Sequence, residues 1–239
     1  MILELSDDAS EYGRQALRAF EAAGGDLLLQ RAEADPSSRE ALVGPVLAEL
    51  GAWDLDARTD ADAREAAAAL CRSAGYWALP YPLAERLSRP ADLDVDGLIV
   101  VAAEAPEGAV AGLSNAWAAV TLDGVRSTAA PGGATGPAFT AALHLTEVDG
   151  AGADDVALGL VLPIWTLLGM LDRAIELTIA HIALREQFGQ PLSAFQGVQF
   201  QLTDAEVERA GVDILATHAL WSLDTDDALA LRLAAIEAA

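Results

Sequence analysis

The sequence of 239 residues contains no lysine, and all 14 of its basic residues are arginines. A P-loop lysine, a Schiff-base lysine and a lysine that holds pyridoxal phosphate are therefore excluded. Acidic residues number 37, which gives a formal net charge of −23. A chain with this charge is repelled by nucleic acid phosphates and by anionic membrane surfaces. Neither a nucleic acid nor a membrane is an expected partner.

Cysteine is represented by Cys71 alone, and histidine by His144, His181 and His218. One cysteine excludes an internal disulfide and a cysteine-rich zinc site, and the histidines are too widely spaced to form a metal-ligand pair. We therefore predict no metal site. The first 20 residues are too acidic for a secretory signal. Together with the single cysteine, this predicts a cytoplasmic protein.

Long apolar segments are also scarce. The longest runs from Val156 to Leu171, which is shorter than a bilayer span, and Pro163 interrupts it. A buried helix of a globular protein is the better interpretation. At 53% hydrophobic and 21% charged residues, the composition is that of an ordinary folded domain rather than a disordered chain.

The pattern of apolar residues predicts a mostly α-helical protein with a small β region. Helices are expected in the first 90 residues: Asp8–Glu33 with a break at Gly24 and Gly25, Pro36–Gly51, a segment that Asp60 caps and that runs to Gly75, and Leu83–Leu87. Leu98–Ala102 has the β-branched character of a strand, and weaker candidates are Val110, Ala118–Leu122 and Ala138–Leu145. We predict a small antiparallel region there, with Pro131–Pro137 as a plain loop.

The chain becomes helical again near residue 154. Asp154 or Asp155 is expected to cap a long, deeply buried helix that runs to about Phe188, where Gly189 and Pro191 end it. Ser193 and Gln196 fit a capping box for a second long helix, so the two helices form an antiparallel hairpin. After an acidic turn over Asp224–Asp227, a further helix is expected over Ala228–Ala239. The predicted domains are 1–92 (helical), 93–152 (β) and 153–239 (helical bundle).

The turn between the two long helices, Arg185–Gln196, holds the most informative residues. A guanidinium beside the amides of a helix N-terminus can bind a phosphate or a diphosphate. Two aromatic side chains, Phe188 and Phe195, could flank a planar group. A plain structural interpretation stays open, in which Arg185 complements the negative end of the helix dipole and the two rings pack across the turn.

This segment resembles the signature of the acyl-CoA dehydrogenase family, R-x-Q-F-G-x-P followed by F-Q-x-x-Q. The matching residues are Arg185, Gln187, Phe188, Gly189, Pro191, Phe195, Gln196 and Gln199. Leu47–Gly51 with Trp53 and Leu55 resembles an element of the family's N-terminal domain, and the order helices, β region, helices is also the family's. The resemblance implies that Arg185, Gln187, Phe188, Phe195 and Gln196 contact FAD of a neighbouring subunit.

Two departures from the family pattern are visible. The flavin-binding segments that the family carries in its β domain are not legible in this shorter middle region. The resemblance also places the family's carboxylate base either beyond Ala239 or near Gly159, where the surrounding residues are apolar. Asp154 and Asp155 lie one helical turn earlier and would need a shift in register to serve as the base, so no catalytic residue is assigned.

These features predict a non-catalytic subunit of a heteromeric acyl-CoA dehydrogenase. The partner, in an α2β2 tetramer, would hold most of the FAD, the base and the acyl-CoA, and the resemblance to heteromers that act on steroid side chains implies lipid metabolism and steroid degradation. Two alternatives stay open. One is a homomeric acyl-CoA dehydrogenase whose sequence continues beyond Ala239, and the other is a helical scaffold without flavin contact.

Overall fold

The computed structural model describes residues 4–136, 139–150 and 152–224. Its N-terminal part is helical, with α1 (Asp7–Ala23), α2 (Asp26–Ala34), α3 (Arg39–Glu49), α4 (Ala61–Tyr76) and α5 (Leu83–Leu87). The predicted helices are confirmed there. Asp60 caps α4 through its carboxylate, which accepts hydrogen bonds from the amides of Asp62 and Ala63. Gly51, which follows α3, has φ +69°, a left-handed conformation that suits glycine.

The middle part is a mixed five-stranded sheet in the order β1-β3-β4-β5-β2. Its strands are β1 (Gly97–Val101), β2 (Glu107–Gly108), β3 (Trp117–Thr121), β4 (Arg126–Ala134) and β5 (Ala141–Glu147). Three of the four strand pairs are antiparallel, as predicted, whereas β1 and β3 pair in parallel.

Strand β4 was not predicted, because Pro131 and the glycines after it are typical of a loop. The strand accommodates these residues through a register shift between Pro131 and Ala134, in its pairing with β5. The prediction of a loop over Pro131–Pro137 is therefore wrong as far as Ala134, while Pro137 lies outside the described residues. Val110 is buried but lies in no strand.

The C-terminal part is a long helical hairpin of α6 (Ala153–Leu184) and α7 (Gln196–Ser222). A two-residue β-hairpin, β6 (Glu186–Gln187) and β7 (Gln190–Pro191), connects them. The first half of α6 is buried through Gly169, as its apolar sequence predicted, and its most apolar window is 61% buried. By length and composition alone this helix could span a membrane, and its burial in the core accounts for that composition.

One large core joins the three parts. Phe20, Leu47, Leu70 and Trp165 are fully buried in it. A smaller cluster of Leu98, Ala118, Val120 and Val156 packs the start of α6 against strands β1 and β3. The second half of α6 and most of α7 leave this core, so the hairpin projects from the body and its tip is exposed. The predicted helix over Ala228–Ala239 lies outside the described residues.

Candidate functional site

Arg185 lies at the tip of the hairpin and outside the helix that precedes it. The backbone of Arg185 is extended (φ −80°, ψ 123°), and α6 ends one residue earlier, at Leu184. The sequence predicted that the helix reaches about Phe188 and that Arg185 lies in its last turn. This prediction is wrong. The chain leaves the helix here because residues 186–191 pair with each other. The Leu192 amide donates to the Arg185 carbonyl at 2.8 Å, which closes the base of the hairpin.

The two residues at the very tip, Phe188 and Gly189, both have left-handed backbones, with φ +53° and +77°. Two successive positive φ values are required by the tight turn that joins two strands with two residues. Gly189 adopts this conformation without cost. For Phe188 it is strained, since a side chain with a Cβ rarely adopts positive φ. The sequence places an aromatic residue where asparagine or aspartate is usual.

The exposure of Phe188 adds a second cost. Its side chain is 94% exposed, although it meets the half-buried Phe195 edge to face with ring centroids 6.3 Å apart. The predicted contact between the two rings across the turn is confirmed, but it hides very little of Phe188. An exposed aromatic ring on a strained backbone contributes little to the stability of this chain, and strained residues concentrate at functional sites.

The start of α7 differs from the predicted capping box. Pro191 is followed by one turn of 3-10 helix, Leu192–Ala194, so that α7 begins only at Gln196. Ser193 therefore caps nothing through its side chain, and instead its carbonyl accepts a hydrogen bond from the Gln199 amide group at 2.8 Å. No side chain caps the start of α7. The amides of Val198 and Gln199 donate to the Phe195 carbonyl, which leaves the first two amides of the helix, those of Gln196 and Gly197, available to an external acceptor.

The structure brings the predicted cofactor residues together at one end of the molecule. Arg185, Gln187, Phe188 and Gln196 are exposed there, beside Phe195. Within the described part of the chain, the Arg185 guanidinium has no ion pair and no hydrogen bond. A free guanidinium, uncapped helix amides, two carboxamides and an aromatic pair form a donor set that fits the diphosphate and a planar ring of FAD. Because these groups lie on an exposed tip, they could contact one side of such a ligand and would leave its other side uncovered.

The region of the expected base lies at the other end of α6 and is tightly packed. A Cβ at Gly159 would lie 2.7 Å from Cγ2 of Val100, so the helix touches strand β1 directly at this point. Asp154 is exposed, in the first turn of α6. Neither aspartate caps the helix, since the N-cap residue is Gly152, and the predicted capping role of Asp154 or Asp155 is wrong.

Asp155 is buried between two arginines, an arrangement that no local sequence pattern indicates. One of its carboxylate oxygens lies 2.8 Å from the guanidinium of Arg58, and the other lies 2.8 Å from Nε of Arg126. Arg126 also binds Asp92 through two hydrogen bonds of 2.7 and 2.8 Å. These hydrogen bonds lower the pKa of Asp92 to about 2 and raise that of Arg126. Asp155 thus ties the start of α6 to the loop that precedes α4 and to β4.

Cys71 is fully buried, and burial raises the pKa of its thiol. Among residues 4–136, 139–150 and 152–224, no group of three or more metal-ligating side chains occurs. His181 is exposed on α6, and its carbonyl accepts the Arg185 amide at the helix end. The tip of the hairpin, by contrast, combines the exposed side chain of Arg185 with an aromatic pair, Phe188 and Phe195.

Comparison with known proteins points to one family. Residues 161–238 match the sequence model of the family described as "Acyl-CoA dehydrogenase, C-terminal domain". Acyl-CoA dehydrogenase FadE28 of Mycobacterium tuberculosis is 38% identical over 58 residues, which are 24% of this chain and 17% of that protein. FadE27 of the same organism is 35% identical over 65 residues, 27% of this chain and 17% of that protein. The matched segments therefore span about a sixth of these curated relatives.

Solved structures resemble this chain over nearly its whole length. The Tcur3481-Tcur3483 steroid ACAD variant has a TM-score of 0.71, with 19% identity over 97% of this chain and 83% of that one. The ChsE4-ChsE5 complex from Mycobacterium tuberculosis has a TM-score of 0.68, with 16% identity over 98% and 83%. The structure of PigA with FAD and proline has a TM-score of 0.61, with 14% identity over 100% and 86%. At these identities the likeness concerns the fold.

Proposed function

We propose that this chain, whose fold and C-terminal segment resemble those of acyl-CoA dehydrogenases, is a member of that family and the non-catalytic subunit of a heteromeric enzyme. Two of the similar structures are complexes of two differently named chains, which supports a second acyl-CoA dehydrogenase subunit as partner. An α2β2 tetramer is the arrangement we expect. One of these two complexes is a steroid ACAD, and a steroid thioester is the substrate class we propose.

The observation that carries the proposal is the exposed, strained tip of the hairpin. Arg185 and Phe188 are exposed at this tip, and neither packs against the body. Such groups are useful only if a second chain presents them with a ligand. In this arrangement Arg185 and the amides of α7 hold the FAD diphosphate, while Phe188, Phe195, Gln187 and Gln196 border the rest of the cofactor.

The division of labour follows from the chemistry of dehydrogenation. FAD would supply the hydride acceptor for this reaction, and a protein carboxylate would have to remove a proton from the carbon next to the one that loses the hydride. In this chain Asp155 is held by two arginines, and Gly159 contacts β1. We therefore assign the base and the acyl-CoA pocket to the partner. This chain positions the cofactor.

Arg185 provides the direct test. In the assembled complex, Arg185→Ala should weaken FAD retention by about one to two orders of magnitude, because charge-assisted hydrogen bonds are each worth about 1.5–3 kcal/mol. Arg185→Lys should recover only part of that loss, since lysine keeps the charge but lacks the planar fork. The measurement is the FAD dissociation constant of each variant.

The dipole interpretation of Arg185 predicts a different result. Arg185→Ala would then cost about 0.3–1 kcal/mol of stability, lysine would substitute well, and FAD occupancy would stay unchanged. If both variants bind FAD as tightly as the wild type, the cofactor role of this turn is refuted. The colour of the purified protein separates the alternatives: a homomeric enzyme is yellow alone, a heteromeric subunit becomes yellow only with its partner, and a scaffold is colourless in both cases.

A further inference from the structure

An exposed apolar stripe runs along α7. Phe200, Val207, Ile214 and Trp221 follow one another at intervals of seven residues, and they are 60%, 66%, 50% and 47% exposed. Residues seven apart lie on one face of a helix, so the four side chains form a continuous line, which we call the α7 stripe. Isolated exposed apolar residues are common, but a line of four along about six turns marks a contact surface.

The α7 stripe is not the surface by which α7 packs on α6. The groove between those two helices is lined on the α7 side by Leu202, Ala205 and Val212, and no stripe residue lines it. The side chain of Arg209 also faces α6, because its Nη1 lies 3.2 Å from Oδ1 of Asp172 on that helix. The helical period of 3.6 residues turns the stripe away from this side. At the C-terminal end of the stripe Trp221 stacks on His218 and borders a small pocket beside Leu5, whereas Phe200, Val207 and Ile214 are at least half exposed.

Small residues occupy the middle of the stripe. Ala210 and Gly211 lie between Val207 and Ile214, and a Cβ at Gly211 would meet no atom within 4 Å. A glycine in a helix interior is unfavourable, and no packing among the residues that the structure describes explains it. Small residues between large apolar ones allow the backbone of a second helix to approach closely, with its own side chains inserted between those of the stripe.

The charge beside the stripe indicates the kind of partner. Asp204 and Glu208 lie along one edge of the stripe, with Glu208 at the rim of the groove between α6 and α7. Both are exposed, and neither has an ion pair among the residues that the structure describes. Two copies of this chain, each with a net charge of −23, would repel each other across such a surface. A helix with lysine or arginine beside its apolar residues would be complementary.

We propose that the α7 stripe binds an apolar helix with basic flanks in the second acyl-CoA dehydrogenase subunit. This inference rests on the proposed function, because it names the surface that would hold the partner against the tip. Continuity supports it: α7 begins at Gln196, one of the tip residues, so the cofactor turn and the stripe form one unbroken surface of the hairpin. The stripe supplies affinity, and Asp204 and Glu208 select a basic partner over a second copy.

The experiment uses the full chain with acyl-CoA dehydrogenase subunits of its own organism, co-expressed and purified as a complex. Val207→Asp places a charge on the stripe, and Gly211→Leu fills its centre. We expect each to weaken the complex by at least about tenfold. The melting temperature of the isolated chain should stay unchanged for Val207→Asp and should not fall for Gly211→Leu, since leucine favours a helix more than glycine does. Ala41→Leu, at an exposed site on α3, is the matched control and should leave the affinity as it is.

The charges are tested separately. The double variant Asp204→Arg, Glu208→Arg should weaken the complex and abolish the decrease of affinity with added salt that the wild-type pair shows. Glu21→Arg with Glu33→Arg, at exposed sites on α1 and α2, changes the net charge equally and should affect the affinity much less. An equal effect of both pairs would refute the role of Asp204 and Glu208.

Other outcomes would overturn the proposal and can be told apart. A lower melting temperature of isolated Val207→Asp would mean that this chain covers its own stripe. Stripe-dependent self-association in sedimentation would assign the surface to a second copy. If the complex forms and Arg185→Ala releases FAD while the stripe variants bind normally, the stripe fails and the proposed function stands. If the stripe variants dissociate the complex but Arg185→Ala keeps FAD, the stripe is confirmed as the partner surface and the proposed cofactor role is refuted. If no complex forms, both proposals are refuted.

Discussion

At the scale of single residues, Phe188 shows a conflict between stability and use. Its positive φ is costly for an aromatic residue, and asparagine before glycine is the preferred sequence of such a turn. We expect Phe188→Asn to raise the melting temperature of the isolated chain slightly, since it relieves about 1 kcal/mol of strain or less. In the complex the same variant should release FAD more readily.

Two measurements on Phe188→Asn test this prediction. Thermal unfolding reports the strain, and FAD dissociation reports the contact. Gly189→Ala serves as the control, because its φ of +77° makes alanine unfavourable and the chain should lose stability. If Phe188→Asn lowers stability as Gly189→Ala does, the ring packs usefully in the isolated chain, and the strain of Phe188 has been overestimated.

Asp155 is a residue whose importance is structural. It is 4% exposed and lies between the buried Arg126 and the half-buried Arg58, so its replacement leaves both guanidinium groups without their shared carboxylate. We expect Asp155→Asn to cost about 3–5 kcal/mol of folding stability, the usual result of breaking a buried ion pair on one side. Turnover per folded complex should stay nearly intact, as for a residue that removes no proton.

The neighbouring aspartate is the matched control for this prediction. Asp154 is exposed in the same helical turn, and Asp154→Asn should change the unfolding free energy by less than about 0.5 kcal/mol. Denaturant unfolding of both variants measures the difference, and steady-state assays of the reconstituted complex measure turnover. A loss of several orders of magnitude in turnover for Asp155→Asn, with the fold intact, would identify it as the base.

At the scale of elements, two glycines set the distance between α4 and α6. A Cβ at Gly75 would lie 1.8 Å from the Thr166 carbonyl oxygen, and a Cβ at Gly169 would lie 1.8 Å from that of Arg72. Each helix therefore offers a glycine to the backbone of the other. Only glycine permits such an approach, because the neighbouring atom in each case belongs to rigid main chain rather than to a flexible side chain.

Alanine at either position should separate the two helices. We expect Gly75→Ala and Gly169→Ala each to destabilise the chain by about 1–3 kcal/mol, the usual cost of overpacking, or by more where the main chain cannot move. Gly211→Ala is the control, since its Cβ would enter open space and alanine favours a helix. Unfolding midpoints of the three variants decide the matter; equal midpoints for all three would contradict the close crossing.

Most elements could be predicted from the sequence because their causes are local. Asp60 and Gly51 mark helix ends, and the apolar spacing marks the helices between them. Strand β4 and the parallel pairing of β1 with β3 depend on partners distant in sequence, which local patterns do not specify. The capping box failed because a separate 3-10 turn follows Pro191, so that the N-cap is Phe195, two residues after the predicted Ser193.

The candidate site, like the fold, could be predicted from the sequence only in part. Its residues could be named from a short contiguous motif, and the structure places all five at one tip. Their exposure could not be inferred, since the motif does not state where the rest of the chain lies. The ion pairs of Asp155 were equally hidden, because Arg58 and Arg126 are about 70 residues apart and approach it from two other elements.

At the scale of the whole molecule, the projecting hairpin favours an assembly over a monomer. Leu177, Leu184, Phe188 and Phe200 are each at least half exposed on it, which leaves a larger apolar surface than a soluble monomer usually presents. The charge of −23 disfavours close packing of identical chains and favours a partner of different charge. The proposed cofactor role has the same requirement, because the tip can hold FAD from one side only.

The last prediction follows from this arrangement. We expect the isolated chain to be colourless and to reduce no added FAD with any acyl-CoA, since it holds one side of the cofactor and has no assigned base. With its partner subunit it should yield a yellow complex in which a steroid acyl-CoA bleaches the visible absorbance of the oxidised flavin, because the hydride taken from the acyl chain reduces it. Bleaching by the isolated chain would assign the base to this subunit, because no other protein carboxylate would then be available to take the proton.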